Sequence, residues 1–249
     1  MTAKIFFLNL LLVSVGEGQI DQFMAMSVLV DGGVEFVITD PQGRRSGFDI
    51  STGTRYDEIN KSYGVMSIDS EDPDIDPPES SMEFATQSPL NGEYLLLLQG
   101  TKLAKYELCV DLIQDLGKSV RFEYSGVIDS SGLQVFFLNY SSVIGDFIGA
   151  EREIEGKSLR TDLDNCYKLN LLGKKPLYID LDHRVSKYEK YIEKEESAKA
   201  RHELEKLDKK LDEVYKRTSK GKSADPNHFI KEDAYRILKE DVKRLMEGH

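Results

Sequence analysis

Short apolar runs separated by turn residues form the pattern between Ser27 and Ser142. Within Lys105–Leu112 every second side chain is apolar, so these side chains share one face of a predicted strand. No segment with a helical period lies between the runs, and this arrangement is typical of an antiparallel β-sandwich. The predicted strands are Ser27–Val30, Val34–Thr39, Glu93–Gln99, Lys105–Ile113, Ser119–Val127 and Leu133–Tyr140.

One of these runs has a different pattern. In Glu93–Gln99 the four residues Leu95–Leu98 follow Tyr94 without an intervening polar residue. A strand that is apolar on both sides is typical of a central strand whose two faces are both covered. We therefore expect Glu93–Gln99 to lie in the middle of a sheet.

The spacing of apolar residues changes after Asp182, where they recur every three or four positions, as on one face of a helix. The pattern breaks at Ser219–Ser223, and Asp225 followed by Pro226 is a favourable start for a second helix. Residues 182–249 are therefore predicted to form a helical hairpin. Each helix has a stripe of apolar side chains, and these stripes pack on each other, on the sandwich or on a partner chain. The two stripes are Val185, Tyr188, Ile192, Leu204, Leu207, Leu211 and Val214, then Ile230, Ala234, Ile237, Leu238, Val242 and Leu245.

These patterns predict a mainly β plus α fold, an antiparallel β-sandwich followed by a C-terminal α-helical hairpin. The sandwich is assigned to residues 19–142. Residues 143–181 are less regular and are predicted to be a connector that packs on the sandwich.

The N-terminus has the pattern of a signal peptide, assigned to residues 1–18. Lys4 supplies a positive charge, Ile5–Val13 is apolar except for Asn9, and small residues follow at Ser14–Gly16. The apolar run is too short to span a bilayer. A buried strand is the alternative interpretation, since the same residue types occur in both.

Charge is distributed unevenly along the 249 residues, whose formal net charge is −11. From His183 onward there are 18 Lys and Arg against 15 Asp and Glu, while the rest of the chain has 15 against 29. The acidic balance argues against nucleic acid as a partner, because such binding depends on neutralising phosphates.

Motifs for known chemistry are absent from the sequence. The two cysteines, Cys109 and Cys166, have no CxxC spacing, and they are either two thiols or one disulfide in an oxidising compartment. HExxH, GxSxG and GxxxxGK[ST] do not occur, and the histidines are His183, His202, His228 and His249. A pair of carboxylates acting in hydrolysis has no spacing rule, so a hydrolase stays open as an alternative.

An acidic segment gives the sharpest local signal. The residues Asp72, Asp74, Asp76 and Glu83 occupy the first, third, fifth and twelfth places of an EF-hand loop. The sixth place requires glycine for a sharp turn, but Pro77 stands there with its fixed φ. We therefore expect a solvated acidic loop, with calcium as the alternative and no other cofactor.

Two adjacent arginines, Arg44 and Arg45, follow the turn residues Asp40–Gly43. Together they would suit a carboxylate or a phosphate. Neighbouring side chains on a strand point to opposite faces, however, so the expectation is a surface hairpin rather than an anion site.

The segment Val34–Asp49, VEFVITDPQGRRSGFD, resembles the opening "V-x-L-x-V-T-D-P-x-G-R-R-x-G-[FY]-D" of an immunoglobulin-like accessory module of secreted prokaryotic proteins. Tyr56–Ile59 is similar to its "N-E-I", Pro89–Tyr94 to its "P-L-P-G-x-Y", and Phe122–Ile128 to its "F-x-G-x-I" strand. The resemblance covers about Ser27 to Ser142. Asn91 replaces a proline of the module, and the insert at residues 67–81 is more acidic than its pattern.

The resemblance implies that the predicted sandwich is an antiparallel immunoglobulin-like β-sandwich and that the protein is secreted, but it brings no catalytic residues. The expected protein is a secreted or surface-exposed, non-catalytic binding or spacer protein, whose partner is another protein or a cell-surface polymer. Its function would lie in exposed loops such as Gln42–Gly53 or Asp69–Ser81. The alternatives are a cytoplasmic interaction protein that uses its C-terminal helices, and the hydrolase.

Overall fold

A computed structural model describes residues 25–59, 62–63, 81–115, 118–154, 156–219 and 227–248. The predicted signal peptide therefore lies outside the described residues. The strands are β1 (Ala25–Gly32), β2 (Val34–Thr39), β3 (Arg45–Asp49), β4 (Thr54–Asp57), β5 (Ser62–Tyr63), β6 (Ser81–Thr86), β7 (Gly92–Gly100), β8 (Ala104–Asp115), β9 (Lys118–Ile128), β10 (Leu133–Tyr140) and β11 (Gly149–Arg152).

The strands form two antiparallel sheets. Sheet A has the order β5-β6-β1-β8-β9, and sheet B has the order β11-β10-β7-β2-β3-β4. Each strand predicted from the apolar runs lies within an observed strand, and β7, which contains Glu93–Gln99, is central in sheet B as predicted. The β-rich half of the fold prediction is confirmed at this level.

The inward side chains of the two sheets form one apolar core. In β1, buried Met26, Val28 and Val30 alternate with half-buried residues, as the two-residue period of a strand requires. Phe36, Phe84 and Phe136 are fully buried in the same core. Burying a side chain of this size contributes roughly 1.5–3 kcal/mol.

The stretch Val34–Asp49 is a hairpin of β2 and β3, with Val37 opposite Gly47. In its turn the buried carboxylate of Asp40 accepts hydrogen bonds from the backbone N–H groups of Gln42 and Arg44, both at 2.9 Å. Gly43 has a φ of 80°, in the region that favours glycine. The surface-hairpin prediction is confirmed.

The helices begin earlier in the chain than predicted and number four among the described residues. They are α1 (Gly156–Lys168), α2 (Lys175–Glu193), α3 (Ser197–Ser219) and α4 (Glu232–Glu247). The structure therefore differs from the two-helix hairpin predicted for residues 182–249. The predicted connector, residues 143–181, contains β11, α1 and the start of α2.

The missed break lies inside the first predicted stripe. Glu195, with a φ of 57°, reverses the chain between α2 and α3. The residues around Glu195 are mostly charged and have good helix propensity, and no proline or glycine among them marks the turn. The second predicted stripe is fully buried, although its first residue, Ile230, precedes α4 in an isolated bridge to Leu172.

The helices pack in the cyclic order α1, α2, α3, α4 around an apolar core of their own. The bundle lies against the sandwich through α1 and α4, which contact β9, an edge strand of sheet A. Val127 of β9 belongs to the apolar core of the bundle. None of the described helices has the length and apolar character needed to cross a bilayer.

Candidate functional site

The calcium candidates are only partly described. Asp72, Asp74 and Asp76 lie outside the described residues, and Glu83 is a half-buried residue of β6, opposite Leu29 of β1. Within the described parts of the chain, no three His, Cys, Asp or Glu residues are grouped so that they could hold a metal ion. The solvated acidic loop, with calcium as its alternative, therefore stays a prediction.

The two arginines of the hairpin bind different partners. Arg44 forms an ion pair with Asp40 at 2.6 Å. Arg45 lies over the ring of Tyr56, 3.8 Å from its centroid, and its backbone N–H donates to Glu58. The structure thus gives each arginine a separate local role and does not bring them together as an anion site.

The cysteines are two separate thiols. Cys109 is half-buried on β8, and Cys166 is fully buried in α1. Burial raises the pKa of the Cys166 thiol well above its usual value, so this side chain is an unreactive core residue. His183 and His202 lie on α2 and α3, and His228 precedes α4, whereas His249 is outside the described residues.

A buried ionic cluster joins the sandwich to the bundle, and we call it the joint. Arg152, the last residue of β11, donates to Asp162 of α1 at 2.7 Å and to Asp241 of α4 at 3.1 Å. The side chain of Arg152 is 8% exposed, and those of the two aspartates are 1% and 0% exposed. One guanidinium thus connects a strand to two helices.

The joint contains two buried carboxyls for one cation. Burial raises the pKa of Asp241 well above its usual value, and the neighbouring Asp162 adds to the rise while Arg152 opposes it. Asp162 Oδ1 and Asp241 Oδ2 are each without a hydrogen-bond partner within the described chain. A proton on Asp241 would give it a donor toward Asp162 and leave the cluster neutral, which is the favourable state for buried charges.

Polar side chains of the sandwich complete the joint. The hydroxyl of buried Tyr106 donates to Gln134, whose amide donates to the carbonyl of Val127 at 3.0 Å. Burial raises the pKa of Tyr106, so it stays a neutral donor. Gly126 permits this arrangement, because a Cβ there would overlap the Tyr106 ring.

Two clefts flank the joint, with volumes of about 520 and 770 Å³. The first lies between α1 and the β9–β10 turn, and the second lies between α4 and β9. In the second, Arg244 pairs with Glu240 and Arg121 pairs with Asp111, so much of the cleft's charge is neutralised within the protein. The two carboxyls themselves are buried against Arg152, which leaves no open acid pair at this point for hydrolysis.

A different region presents apolar side chains to solvent. Residues 141–148, which follow β10, form what we call the apolar loop, with Val143 55%, Ile144 41% and Phe147 79% exposed. The loop lies at the end of the sandwich where β1 begins. Ala25, the first residue of β1, pairs with Ile113 of β8, and the neighbouring Gln114 donates a hydrogen bond to the loop.

Hydrogen bonds from the sandwich support the backbone of the apolar loop. The amide of Gln114, a buried residue, donates to the carbonyls of Ser141 and Val143 at 2.8 and 3.0 Å. Asn91 accepts from the backbone N–H of Ser142 at 2.7 Å. A loop whose backbone is fixed while its apolar side chains are exposed is suited to binding, since little order is lost on contact.

Sequence reasoning missed both the joint and the apolar loop. Asp241 is 89 positions from Arg152, and nothing local distinguishes the three residues of the joint from surface charges. The apolar loop did carry a signal, since Val143, Ile144 and Phe147 stand beside Gly145 and Asp146, residue types typical of an exposed turn.

Comparison with known proteins does not assign the chain to a family. No protein-family model matches it, and neither the characterised proteins nor the solved structures contain a significant match.

Proposed function

We propose that the protein is a non-catalytic binding or spacer protein built on an immunoglobulin-like module, working outside the cell or on its surface. The strand order supports the module. In a variable-type immunoglobulin domain one sheet has strands D, E, B and A, and the other has G, F, C, C′ and C″. With β1 as strand B, sheet A follows the first order and sheet B the second, apart from β8 in the place of strand A and β9 and β11 at the edges.

One deviation from that order involves the joint. The position of strand A beside β1 is taken by β8, which belongs to a hairpin of β8 and β9 inserted between the strands equivalent to F and G. Strand β9 is the surface on which the bundle packs. The inserted hairpin thus supports a rigid attachment of the two parts, as a spacer requires.

A tyrosine also supports the module. Tyr94 near the start of β7, the strand equivalent to F, accepts a hydrogen bond from the backbone N–H of Leu90 at 2.6 Å. A tyrosine at this point that bonds to the chain a few residues upstream is typical of immunoglobulin-like sandwiches. Burial raises the pKa of Tyr94 to about 12, so the hydroxyl stays protonated in this bond.

The exposed, braced apolar loop is the observation that carries the binding role. Loops at the two ends of a sandwich carry much of the binding in this architecture, and the apolar loop lies at the end opposite to the B–C, C′–C″ and F–G loops that variable domains use. The helical stripes, by contrast, are buried in the bundle except for Ile192, which argues against their use for a partner in a cytoplasmic interaction protein.

Two measurements test this proposal. Fractionation of the producing cells, with N-terminal sequencing of the mature protein, should find it outside the cytoplasm and shortened near residue 18. The immobilised full chain should capture a component of a panel of cell-surface polysaccharides and peptides. The double variant Val143→Ser, Ile144→Ser should lose most of that capture.

Matched controls make the result decisive. The substitution Ile179→Ser changes an exposed apolar residue of α2, 51% exposed, and should leave capture unchanged. Retention of residues 1–16 in a cytoplasmic fraction, or capture that the loop variant leaves intact, would contradict the proposal.

A further inference from the structure

The sandwich and the bundle have separate apolar cores. In the described part of the chain, Val127 of β9 is the one strand residue that belongs to the core of the bundle, and the core of the sandwich contains no residue of the four helices. The next residue, Ile128, already belongs to the core of the sandwich. Each part can therefore keep its own core when the contact between the two parts opens.

Exposed ion pairs also link the two parts. Lys105 of β8 pairs with Asp233 of α4 at 2.7 Å, and Glu151 of β11 pairs with Arg244 of α4 at 3.4 Å. One side chain in each pair is more than half exposed, so water screens both interactions and they contribute little. The docking of the bundle therefore depends mainly on buried contacts, of which the joint is the one that carries charge.

The joint divides its charges unequally between the two parts. The sandwich supplies one guanidinium, that of Arg152, whereas the bundle supplies two carboxyls, those of Asp162 and Asp241. If both carboxyls were ionised, the docked state would bury a net negative charge, which is unfavourable away from water. One proton shared by the pair removes this charge and supplies a hydrogen bond between the two aspartates, each of which has an oxygen without another partner in the described chain.

The groups that face Asp241 come from three elements besides its own helix. They are Arg152 of β11, Asp162 and Cys166 of α1, Tyr106 of β8 and Glu240 of α4. Burial raises the pKa of Cys166 and of Tyr106, so both stay neutral near neutral pH. Charged groups farther out, along the neighbouring cleft, include Arg121 and Glu123 of β9, Asp208 of α3, and Lys239, Lys243 and Arg244 of α4.

Docking and the protonation of Asp241 are linked. Burial is the largest cause of the raised pKa of Asp241, ahead of the negative charge of Asp162, while Arg152 opposes the rise. Opening of the contact with the sandwich returns both carboxyls to water, so the main cause of the rise is removed. The docked state thus binds this proton more tightly than the open state. Docking is therefore strongest in acid and weakens as the pH rises toward the raised pKa.

We infer that the joint is a proton-operated latch, which holds the bundle on the sandwich while one proton lies between Asp162 and Asp241 and loosens when that proton is lost. Strand β11 ends at Arg152 and α1 begins at Gly156, so the loosened bundle stays attached through residues 153–155. The rigid attachment that suits a spacer is then strongest in acid. The latch goes beyond the proposed binding role and depends neither on the apolar loop nor on the compartment.

A thiol placed under the bundle tests the latch. Val127→Cys is close in size to the fully buried valine, which opening of the contact would expose. The substitution is made in the full chain, with the two native thiols removed by Cys109→Ser and Cys166→Ala. The rate of its reaction with dithiodipyridine is divided by the rate of a small thiol at the same pH. This relative rate should rise by up to about tenfold for each pH unit between about pH 4.5 and 8.

Val110→Cys in the same background is the matched control. Val110 is also a fully buried valine, but it lies in the core of the sandwich and is exposed only when the sandwich itself unfolds. It should react at least about 100-fold more slowly than Val127→Cys at each pH, because global unfolding is rarer than local opening. Circular dichroism should confirm that each variant is folded.

Asp241→Asn, combined with Val127→Cys, tests the proton itself. The amide imitates the protonated carboxyl, so the relative rate should keep its acid value at every pH. A rise with pH that Asp241→Asn leaves intact would assign the titration to another group and refute the latch.

The comparison of the two thiols leaves the joint unchanged, so it decides the inference even if Asp241→Asn does not fold. Equal rates at Val127→Cys and Val110→Cys would show that the contact opens only when the whole protein unfolds, and the latch would be wrong. A relative rate at Val127→Cys that does not change with pH would overturn it as well.

Discussion

The two apolar cores and the joint between them are stabilised in different ways. The core of the sandwich and the core of the bundle consist of apolar side chains brought together by simple periodicities of two and of three to four residues. The joint instead places Arg152, Asp162 and Asp241 out of water. A buried apolar side chain can pack against many different apolar neighbours, whereas a buried charge needs a specific partner of opposite charge. The joint is therefore the more selective contact.

The largest expected effect tests how rigid the sandwich is. Gly47 has a φ of 120°, and a Cβ there would overlap the backbone carbonyl of Phe36. Gly47→Ala should therefore destabilise the protein by more than about 5 kcal/mol, which denaturant unfolding would measure. Gly43→Ala is the control, since Gly43 also has a positive φ but no atom within 4 Å, and it should cost only about 1–2 kcal/mol. Equal effects would show that the close approach to Phe36 is unimportant.

The next effect tests the charge balance of the joint. Asp162→Asn keeps the shape of the side chain but removes the carboxylate that bonds Arg152 at 2.7 Å. Breaking a buried pair typically costs about 3–5 kcal/mol, and we expect the lower end of that range here, because Asp241 can release its proton and compensate Arg152 at 3.1 Å. Urea unfolding followed by circular dichroism would measure the loss. A change below about 1 kcal/mol would contradict a tightly packed joint.

A smaller effect of opposite sign is expected at Asp241. Because its pKa is raised in the folded protein, the unfolded chain loses this proton first as the pH rises above its ordinary value of 3.8. The free energy of unfolding therefore falls with rising pH until the raised pKa is passed. Asp241→Asn imitates the protonated carboxyl and should remove that fall.

Urea titrations of the wild-type protein and of Asp241→Asn between about pH 3.5 and 8 provide the measurement. Each tenfold difference in proton affinity between the folded and the unfolded chain corresponds to ~1.4 kcal/mol in the free energy of unfolding. The two proteins should agree at the acid end, and the variant should be the more stable at the neutral end. If Asp241→Asn is destabilising at pH 7 by as much as Asp162→Asn, both carboxyls are ionised and the assignment of the proton is wrong.

The smallest effect is expected at the rim of the joint. Lys105 of β8 and Asp233 of α4 also link the sandwich to the bundle, at 2.7 Å, but their side chains are 54% and 40% exposed. An exposed pair contributes about 0–1 kcal/mol, so Lys105→Met should change stability by less than about 1 kcal/mol in the same assay. If Lys105→Met destabilised the protein as much as Asp162→Asn, the exposed ion pair and the buried one would contribute equally, and exposure would not distinguish them.

Much of the sandwich could be predicted from the sequence because strand signals are local. Alternation in β8 and the turn at Asp40–Gly43 depend on neighbours in the chain, and both are found as predicted. The helix break at Glu195 could not be predicted in the same way, since the charged residues around it favour a continuous helix. Packing of α2 on α3 decides the reversal there.

The candidate sites show the same division. The sequence pointed to Arg44 and Arg45 and to the acidic segment, which are conspicuous because their residues are adjacent. The joint consists of residues separated by up to 89 positions, and each is an ordinary charged residue until the fold brings them together.

By itself the sequence determined the alternation of apolar and polar positions, the turns and the helical stripes, because these depend on contacts between near neighbours. Only the tertiary structure decided which strand the bundle packs on, which carboxyls share Arg152, and which loop keeps its apolar side chains in solvent. The physical reason is that burial and pairing of distant groups are properties of the folded chain, and no short window of residues contains them.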